Sequence, residues 1–153
     1  MRAIVQLAYQ IRRWVLAVLR VRTTGVKVML FNPAGELLLI RNGYGASDQF
    51  LLPGGGVSRR ESPAAAAARE ILEELGLEVR DVEPVWTYES GAEGKRDTIH
   101  LFKAVADGLP VEDQVEVVEA RFFKLDALPE RTSPATLRRI AEMEGERPID
   151  GRW

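Results

Sequence analysis

The chain contains no cysteine and a single histidine, His100. The absence of cysteine excludes disulfide bonds, zinc–thiolate sites and a cysteine nucleophile. One histidine also argues against a histidine-based metal site and against a Ser-His-Asp triad. The chain therefore lacks the residue types of several common metal and nucleophile sites.

The chain also lacks a strong charge of either sign. Its formal net charge is −2 and its isoelectric point is about 5.6, so nothing demands nucleic acid as a partner. A length of 153 residues, with 46 % hydrophobic and 29 % charged residues, is typical of one soluble globular domain with its own core.

The first 22 residues show apolar side chains at helical spacing but no long hydrophobic run. Arg12 and Arg13 interrupt the apolar stretch, and no cleavage site follows it, which argues against a transmembrane helix or a signal peptide. We expect an amphipathic helix that packs on the domain or on a second copy of the chain in a homodimer. Its basic residues leave a membrane-surface role as the alternative. We expect no stable membrane insertion and a cytoplasmic location.

The rest of the chain reads as strands in hairpins with helices between them, a pattern that favours a mixed sheet flanked by helices. Residues 23–145 are predicted to form the domain, and residues 146–153 a tail. Helices are predicted to begin after Ser62 and Ser133. Strands are predicted at Thr24–Phe31, Glu36–Arg41, Leu77–Tyr88 (one or two short strands), Asp97–Ala106 and Val115–Lys124.

The first of these helices carries a cluster of acidic residues. Ser62 is a good N-cap and Gly76 a good helix end, and Glu70, Glu73 and Glu74 stand at i, i+3 and i+4 between them. That spacing puts the three carboxylates on one face, where they repel each other. Hard cations that prefer oxygen ligands, Mg²⁺ or Mn²⁺, would neutralise them. A solvated acidic helix face is the simpler alternative.

Residues 55–77, GGVSRRESPAAAAAREILEELGL, follow the pattern G-x5-E-x7-R-E-U-x-E-E-x-G-U, in which U is aliphatic. This segment resembles the signature of the Nudix hydrolases at every fixed position. The resemblance implies an α/β/α sandwich around a mixed sheet, to which the N-terminal helix would be an addition. It also implies a metal-dependent pyrophosphohydrolase, in which water attacks phosphorus and cleaves a diphosphate bond of a small nucleoside diphosphate derivative. A Nudix-fold module that binds or senses a nucleotide without turnover is the alternative.

The resemblance also implies which residues bind metal. Glu70 and Glu74 would be the primary ligands of Mg²⁺ or Mn²⁺, and the carbonyl of Gly55 would join them. Glu73 would be a further ligand or the general base. Glu61 would support the site, and Arg69 would hold the acidic side chains in place.

Some members of the family place a further catalytic or metal-binding glutamate before the last strand of the site. The best match in this chain is Glu116, followed by Glu112 and Glu119, each with a solvated surface position as the alternative. Glu73 is favoured as the main base, and Glu116 would complete the metal shell or share the role.

The substrate-binding residues are less well defined by the sequence. Bases bind by stacking on aromatic side chains, so Tyr44 and Phe50 are candidates. Arg41 follows a strand and could contact a phosphate. Core packing for the aromatic residues and an ordinary surface position for Arg41 are the alternatives.

Overall fold

The computed structural model describes residues 23–43, 48–91, 97–112 and 117–153. The predicted N-terminal helix lies outside these residues. No helix in the described ranges has the length and apolar character needed to cross a membrane. In chain order the elements are β1 (Thr24–Phe31), β2 (Leu37–Asn42), α1 (Pro63–Leu75), β3 (Val79–Ser90), β4 (Asp97–Ala106), β5 (Val117–Phe123) and α2 (Pro134–Met143).

The five strands form one mixed sheet in the order β3-β4-β1-β2-β5. The pairing of β1 with β4 is parallel, and the other pairings are antiparallel. One face of the sheet packs against Ala66, Ile71 and Leu75 of α1, and the other packs against Ile140 and Met143 of α2. The helices therefore cover opposite faces, and the predicted α/β/α arrangement is confirmed.

Strands β1 and β2 separate beyond their turn, and the gap between them holds the glycine loop, residues 50–57. The two strands pair only at Phe31 and Leu37, next to their turn. Beyond that pair, residues 50–57 run between the strands and take over their hydrogen bonds. On the β1 side, the Val26 amide donates to the Gly55 carbonyl at 2.9 Å. On the β2 side, Leu51 of the loop forms a bridge with Ile40. The loop is therefore held by backbone bonds on both sides.

Helix α1 begins and ends where its sequence predicts. The Ser62 side chain accepts a hydrogen bond from the Ala65 amide, which satisfies one of the free donors at the helix start. Gly76 ends the helix in a left-handed conformation (φ 65°), and its amide donates to the Leu72 carbonyl at 2.9 Å. These caps fix the length of the helix, and with it the positions of its glutamates.

Strand β3 is one continuous strand of twelve residues rather than two short ones, and two register shifts against β4 absorb its irregular pattern. Its outer edge is covered by residues 151–153, which the sequence assigns to a tail. The Glu89 amide donates to the Gly151 carbonyl at 2.8 Å, and the Trp153 amide donates back to the Glu89 carbonyl at 3.1 Å. The end of the chain therefore packs as part of the domain.

A buried polar network holds this segment in place. Arg139 is fully buried, donates to the Glu142 carboxylate at 2.9 Å and to the Arg152 carbonyl at 2.8 Å, and stacks over the Tyr88 ring. Burial, reinforced by Glu142, raises the pKa of the Tyr88 hydroxyl, which donates to Glu142 at 2.7 Å. The Trp153 ring lies edge-on against Tyr88 at 5.5 Å. Glu142 thus accepts hydrogen bonds from both Arg139 and Tyr88, whereas the Arg139 Nε donor meets no acceptor among the described residues.

We expect Arg139→Ala to lower the free energy of unfolding by about 3–5 kcal/mol, because it leaves the buried Glu142 carboxylate without its cation. Arg138→Ala is the matched control on the same helix, since Arg138 is only partly buried. Urea denaturation of the three proteins measures both changes. Equal losses in the two variants would contradict the assigned role of the network.

Candidate active site

Two glutamates of α1, and Glu61 just before the helix, contact one cation, Arg69. Its guanidinium donates to Glu61 at 2.6 and 3.0 Å, to Glu70 at 2.9 Å and to Glu73 at 3.1 Å. It also donates to the Gly56 carbonyl at 3.0 Å. Arg69 therefore links three carboxylates of residues 61–73 to the glycine loop.

Glu61 is the best-anchored of these carboxylates. Besides its two bonds from Arg69, it accepts a hydrogen bond from the Ser58 amide at 2.9 Å. These bonds, with that from Arg69 the largest cause, lower the pKa of Glu61 to about 2. Glu61 is therefore ionised throughout the neutral range, as its bonds to Arg69 require.

The three glutamates predicted to bind metal differ in their surroundings. Glu74 is buried, with 7 % of its surface exposed, and the side chain of Glu70 is 15 % exposed. The Glu73 side chain is 60 % exposed and contacts Arg69 from outside. Glu70 and Glu74 are thus fixed by packing, whereas Glu73 is held by one exposed ion pair, a kind of contact that contributes little to stability.

The loop glycines fit closely around these side chains. A Cβ atom on Gly55 would lie 2.3–2.5 Å from the carboxylate atoms of Glu70. A Cβ atom on Gly54 would lie 2.1 Å from the Val26 carbonyl oxygen, and Gly54 has a φ of 149° that favours glycine. Glycine is therefore required at position 54 by the backbone of β1, whereas at position 55 an added Cβ atom would meet only the end of the Glu70 side chain.

The donor set suits a hard cation, although its arrangement does not yet form a complete site. Carboxylates and backbone carbonyls are the oxygen ligands that Mg²⁺ and Mn²⁺ prefer. Within the described ranges, no group of three acidic or histidine side chains is close enough to hold a metal as it stands. Glu73 is turned to Arg69, and the Gly55 carbonyl already accepts one bond from Val26. Glu73 is the exposed member of the three and is held by its bond to Arg69.

The remaining predicted residues lie in other contacts or outside the described ranges. Arg41 pairs with Glu119 at 3.1 Å and with Asp48 at 2.9 Å. The Phe50 ring packs edge-on against Phe123 at 5.4 Å, within the core on the α2 side. These three contacts are all within the protein, and the substrate-binding role of Arg41 and Phe50 stays a prediction.

Tyr44 and Glu116 lie outside the described residues. Of the two lower-ranked glutamates before the last strand, Glu112 accepts a hydrogen bond from the Ala120 amide at 3.1 Å. Glu119 pairs with Arg41 at 3.1 Å. Glu112 therefore contacts β5, and Glu119, which lies within β5, contacts the neighbouring strand β2.

Sequence reasoning missed one cation near the site, Lys27 in the middle of β1. Its ammonium group donates to the Leu52 carbonyl in the glycine loop at 2.9 Å. Burial lowers the pKa of Lys27, and the charges of Glu74 and Glu70 act in the opposite direction. The available signal was a charged residue between Val26 and Val28, in a strand that is otherwise apolar at its centre.

The two loop glycines should respond differently to an added methyl group. We expect Gly54→Ala to lower the free energy of unfolding by at least about 2 kcal/mol, because the backbone of β1 blocks the new atom. Gly55→Ala should cost less than about 1 kcal/mol, since the end of the Glu70 side chain can move aside. Urea denaturation measures both variants, and the reverse order would contradict the packing described.

The chain was compared with known families and proteins. The model of the NUDIX domain family matches residues 21–143. The GDP-mannose pyrophosphatase of Yersinia enterocolitica is 32 % identical over 123 residues, which cover 70 % of this chain and 64 % of that protein. An RNA pyrophosphohydrolase of Cellvibrio japonicus is 43 % identical over 58 residues, or 38 % of this chain and 34 % of that one. The chain thus spans between a third and two thirds of these relatives.

Solved structures agree with this assignment. The MutT NUDIX hydrolase of Burkholderia pseudomallei superposes with a TM-score of 0.69 and 25 % identity, over 78 % of this chain and 96 % of that chain. The MutT protein of Methanosarcina mazei Go1 superposes with a TM-score of 0.65 and 23 % identity, over 84 % of this chain and 96 % of that one, and shows the same fold. By its sequence match, and in agreement with its fold, this chain belongs to the NUDIX family.

Proposed function

We propose that the chain is a metal-dependent pyrophosphohydrolase that cleaves the diphosphate bond of a small nucleoside diphosphate derivative. The observation that carries the proposal is the convergence of Glu70 and Glu73 on Arg69 beside the glycine loop, with Glu74 buried one turn along. Two relatives are named GDP-mannose pyrophosphatase and RNA pyrophosphohydrolase, which supports the same class of reaction.

The proposed cofactor is Mg²⁺ or Mn²⁺, held by Glu70 and Glu74, with Glu73 as a further ligand or as the general base. The Gly55 carbonyl would join through its second lone pair, since Val26 uses the first. When bound, the cation supplies positive charge for the phosphates and makes a water a stronger nucleophile. Glu73 is the residue able to change partners. It is exposed, and its bond of 3.1 Å is the longest that Arg69 makes to a carboxylate.

The remaining residues position this set. Arg69 keeps its bonds to Glu61 and to the Gly56 carbonyl when Glu73 leaves, so the loop and α1 stay together. Glu74 is buried, so little of its side chain is open to solvent. Glu73 would accept the proton of the attacking water when it is not a ligand, with Glu116 as the second candidate. A cytoplasmic location and a homodimer stay predictions.

The alternative is a domain that binds a nucleotide without turnover. A domain without turnover does not need every glutamate of the family signature. All four are present in this chain, namely Glu61, Glu70, Glu73 and Glu74. A substrate panel of nucleotide sugars, dinucleoside polyphosphates and nucleoside triphosphates separates the two functions. Binding without any product in Mg²⁺ would favour the alternative.

Removal of metal or of Glu74 should abolish turnover. We expect no product in EDTA, full recovery with Mg²⁺ or Mn²⁺, and a loss of orders of magnitude in kcat for Glu74→Gln, because it removes a ligand that positions the cation. Glu78→Gln is the control, since Glu78 is exposed just beyond the same helix. Products are identified by mass, and folding is checked by circular dichroism. Full activity in EDTA would contradict the proposal.

The two candidate bases should separate by kinetics. We expect Glu73→Gln to lower kcat sharply with little change in KM, because a base acts in the transition state. Glu116→Gln should cost about ten- to a hundredfold, as outer metal partners do. The pH–rate profile of each variant assigns the acidic limb. A limb that vanishes in Glu116→Gln and survives in Glu73→Gln would reverse the two roles.

A further inference from the structure

Lys27 is a cation in the middle of the sheet, under the glycine loop. Its neighbours Val26 and Val28 are both buried. The loop passes directly over it, since a Cβ atom on Gly54 would lie 2.9 Å from the Lys27 Cα atom. Lysine is rarely placed in such surroundings unless its charge has a use, because burying an ammonium group is costly.

The bonds of Lys27 leave part of its ammonium group available. Its three donors meet one acceptor among the described residues, the Leu52 carbonyl at 2.9 Å. No carboxylate of the described residues lies within ion-pair distance of it, although Glu74 and Glu70 act on it through their charges. The loop connects the two regions, since Gly54 lies over Lys27 and the next residue, Gly55, lies against the Glu70 carboxylate.

A diphosphate bound beside Glu70 and Glu74 would add negative charge to the cluster and would need a cation to offset it. Arg69 is turned to Glu61, Glu70 and Glu73, so its donors are engaged. Lys27 is a half-buried cation under the loop, and it has donors to spare. A lysine ammonium is a compact point charge that binds phosphate oxygen well.

We propose that Lys27 binds a phosphate oxygen of the substrate from beneath the glycine loop, on the side of the site away from Arg69. The inference rests on the proposed function, because it takes the diphosphate to lie against Glu70 and Glu74. It adds a substrate contact that comes from the sheet and not from the helix. Lys27 also offsets the negative charge of Glu70 and Glu74, and so lowers the affinity of these carboxylates for a metal cation.

These two effects have opposite signs, which makes the role testable. We expect Lys27→Met to weaken the binding of imidodiphosphate, a diphosphate that resists hydrolysis, by about ten- to a hundredfold, the usual value of a charge-assisted hydrogen bond. The same variant should bind Mn²⁺ at least as tightly as the wild type, because a nearby positive charge is gone. Lys27→Arg, which keeps the charge, should retain most of the imidodiphosphate binding.

Calorimetry with imidodiphosphate, with and without Mn²⁺, and Mn²⁺ titration followed by electron paramagnetic resonance measure both affinities. Lys103→Met is the matched control, because Lys103 is an exposed lysine on the neighbouring strand β4. Wild-type imidodiphosphate binding in Lys27→Met, or parallel losses of Mn²⁺ and imidodiphosphate, would overturn the inference in favour of a structural lysine.

The outcome also separates this inference from the proposed function. Binding of imidodiphosphate that depends on Lys27, in a protein that hydrolyses no diphosphate, would overturn the proposed function and leave the phosphate contact standing. Hydrolysis with an unchanged KM in Lys27→Met would support the proposed function and overturn the phosphate contact. A wild type that binds neither Mn²⁺ nor imidodiphosphate would overturn both.

Discussion

The contacts of Arg69 hold together the two parts from which the site is built. Glu61 and Gly56 belong to the loop side, and Glu70 and Glu73 to the helix, so one guanidinium joins both. Its planar array of donors suits this role, because several acceptors can be met at once in fixed directions. Without this cation, the like charges of the cluster would repel each other, and the side-chain link between the loop and α1 would be lost.

The second constraint is the gap between β1 and β2. A regular hairpin would pair these strands along their length, yet they meet only at Phe31 and Leu37. The glycine loop fills the gap with hydrogen bonds to Val26 and Ile40, and thereby reaches the helix face that carries the carboxylates. The position of the site therefore follows from backbone hydrogen bonding as much as from side chains.

Much of the fold could be predicted from the sequence because its signals are local. The caps of α1, the alternation in β1 and β4, and the spacing of the three glutamates each depend on residues close in the chain. The packing of Phe50 against Phe123 and the pairing of Trp153 with β3 join residues far apart, so no local pattern indicates them.

The same limit explains why the sequence did not reveal Lys27 as part of the site. Strand alternation predicts which face a side chain takes but not which loop crosses it. Only the tertiary structure shows that Leu52 accepts its hydrogen bond and that Glu70 and Glu74 lie within reach of its charge. Contacts of this kind depend on three separate segments meeting, which spacing in one segment cannot encode.

The central claim is that Arg69 keeps the carboxylates assembled and releases Glu73 alone when a cation binds. A crystal structure of the protein with Mg²⁺ tests it most directly. The account predicts Glu73 turned from Arg69 toward a metal shared with Glu70 and Glu74, while Arg69 still contacts Glu61 and the Gly56 carbonyl. A metal bound elsewhere, with the bond of 3.1 Å between Arg69 and Glu73 intact, would contradict it.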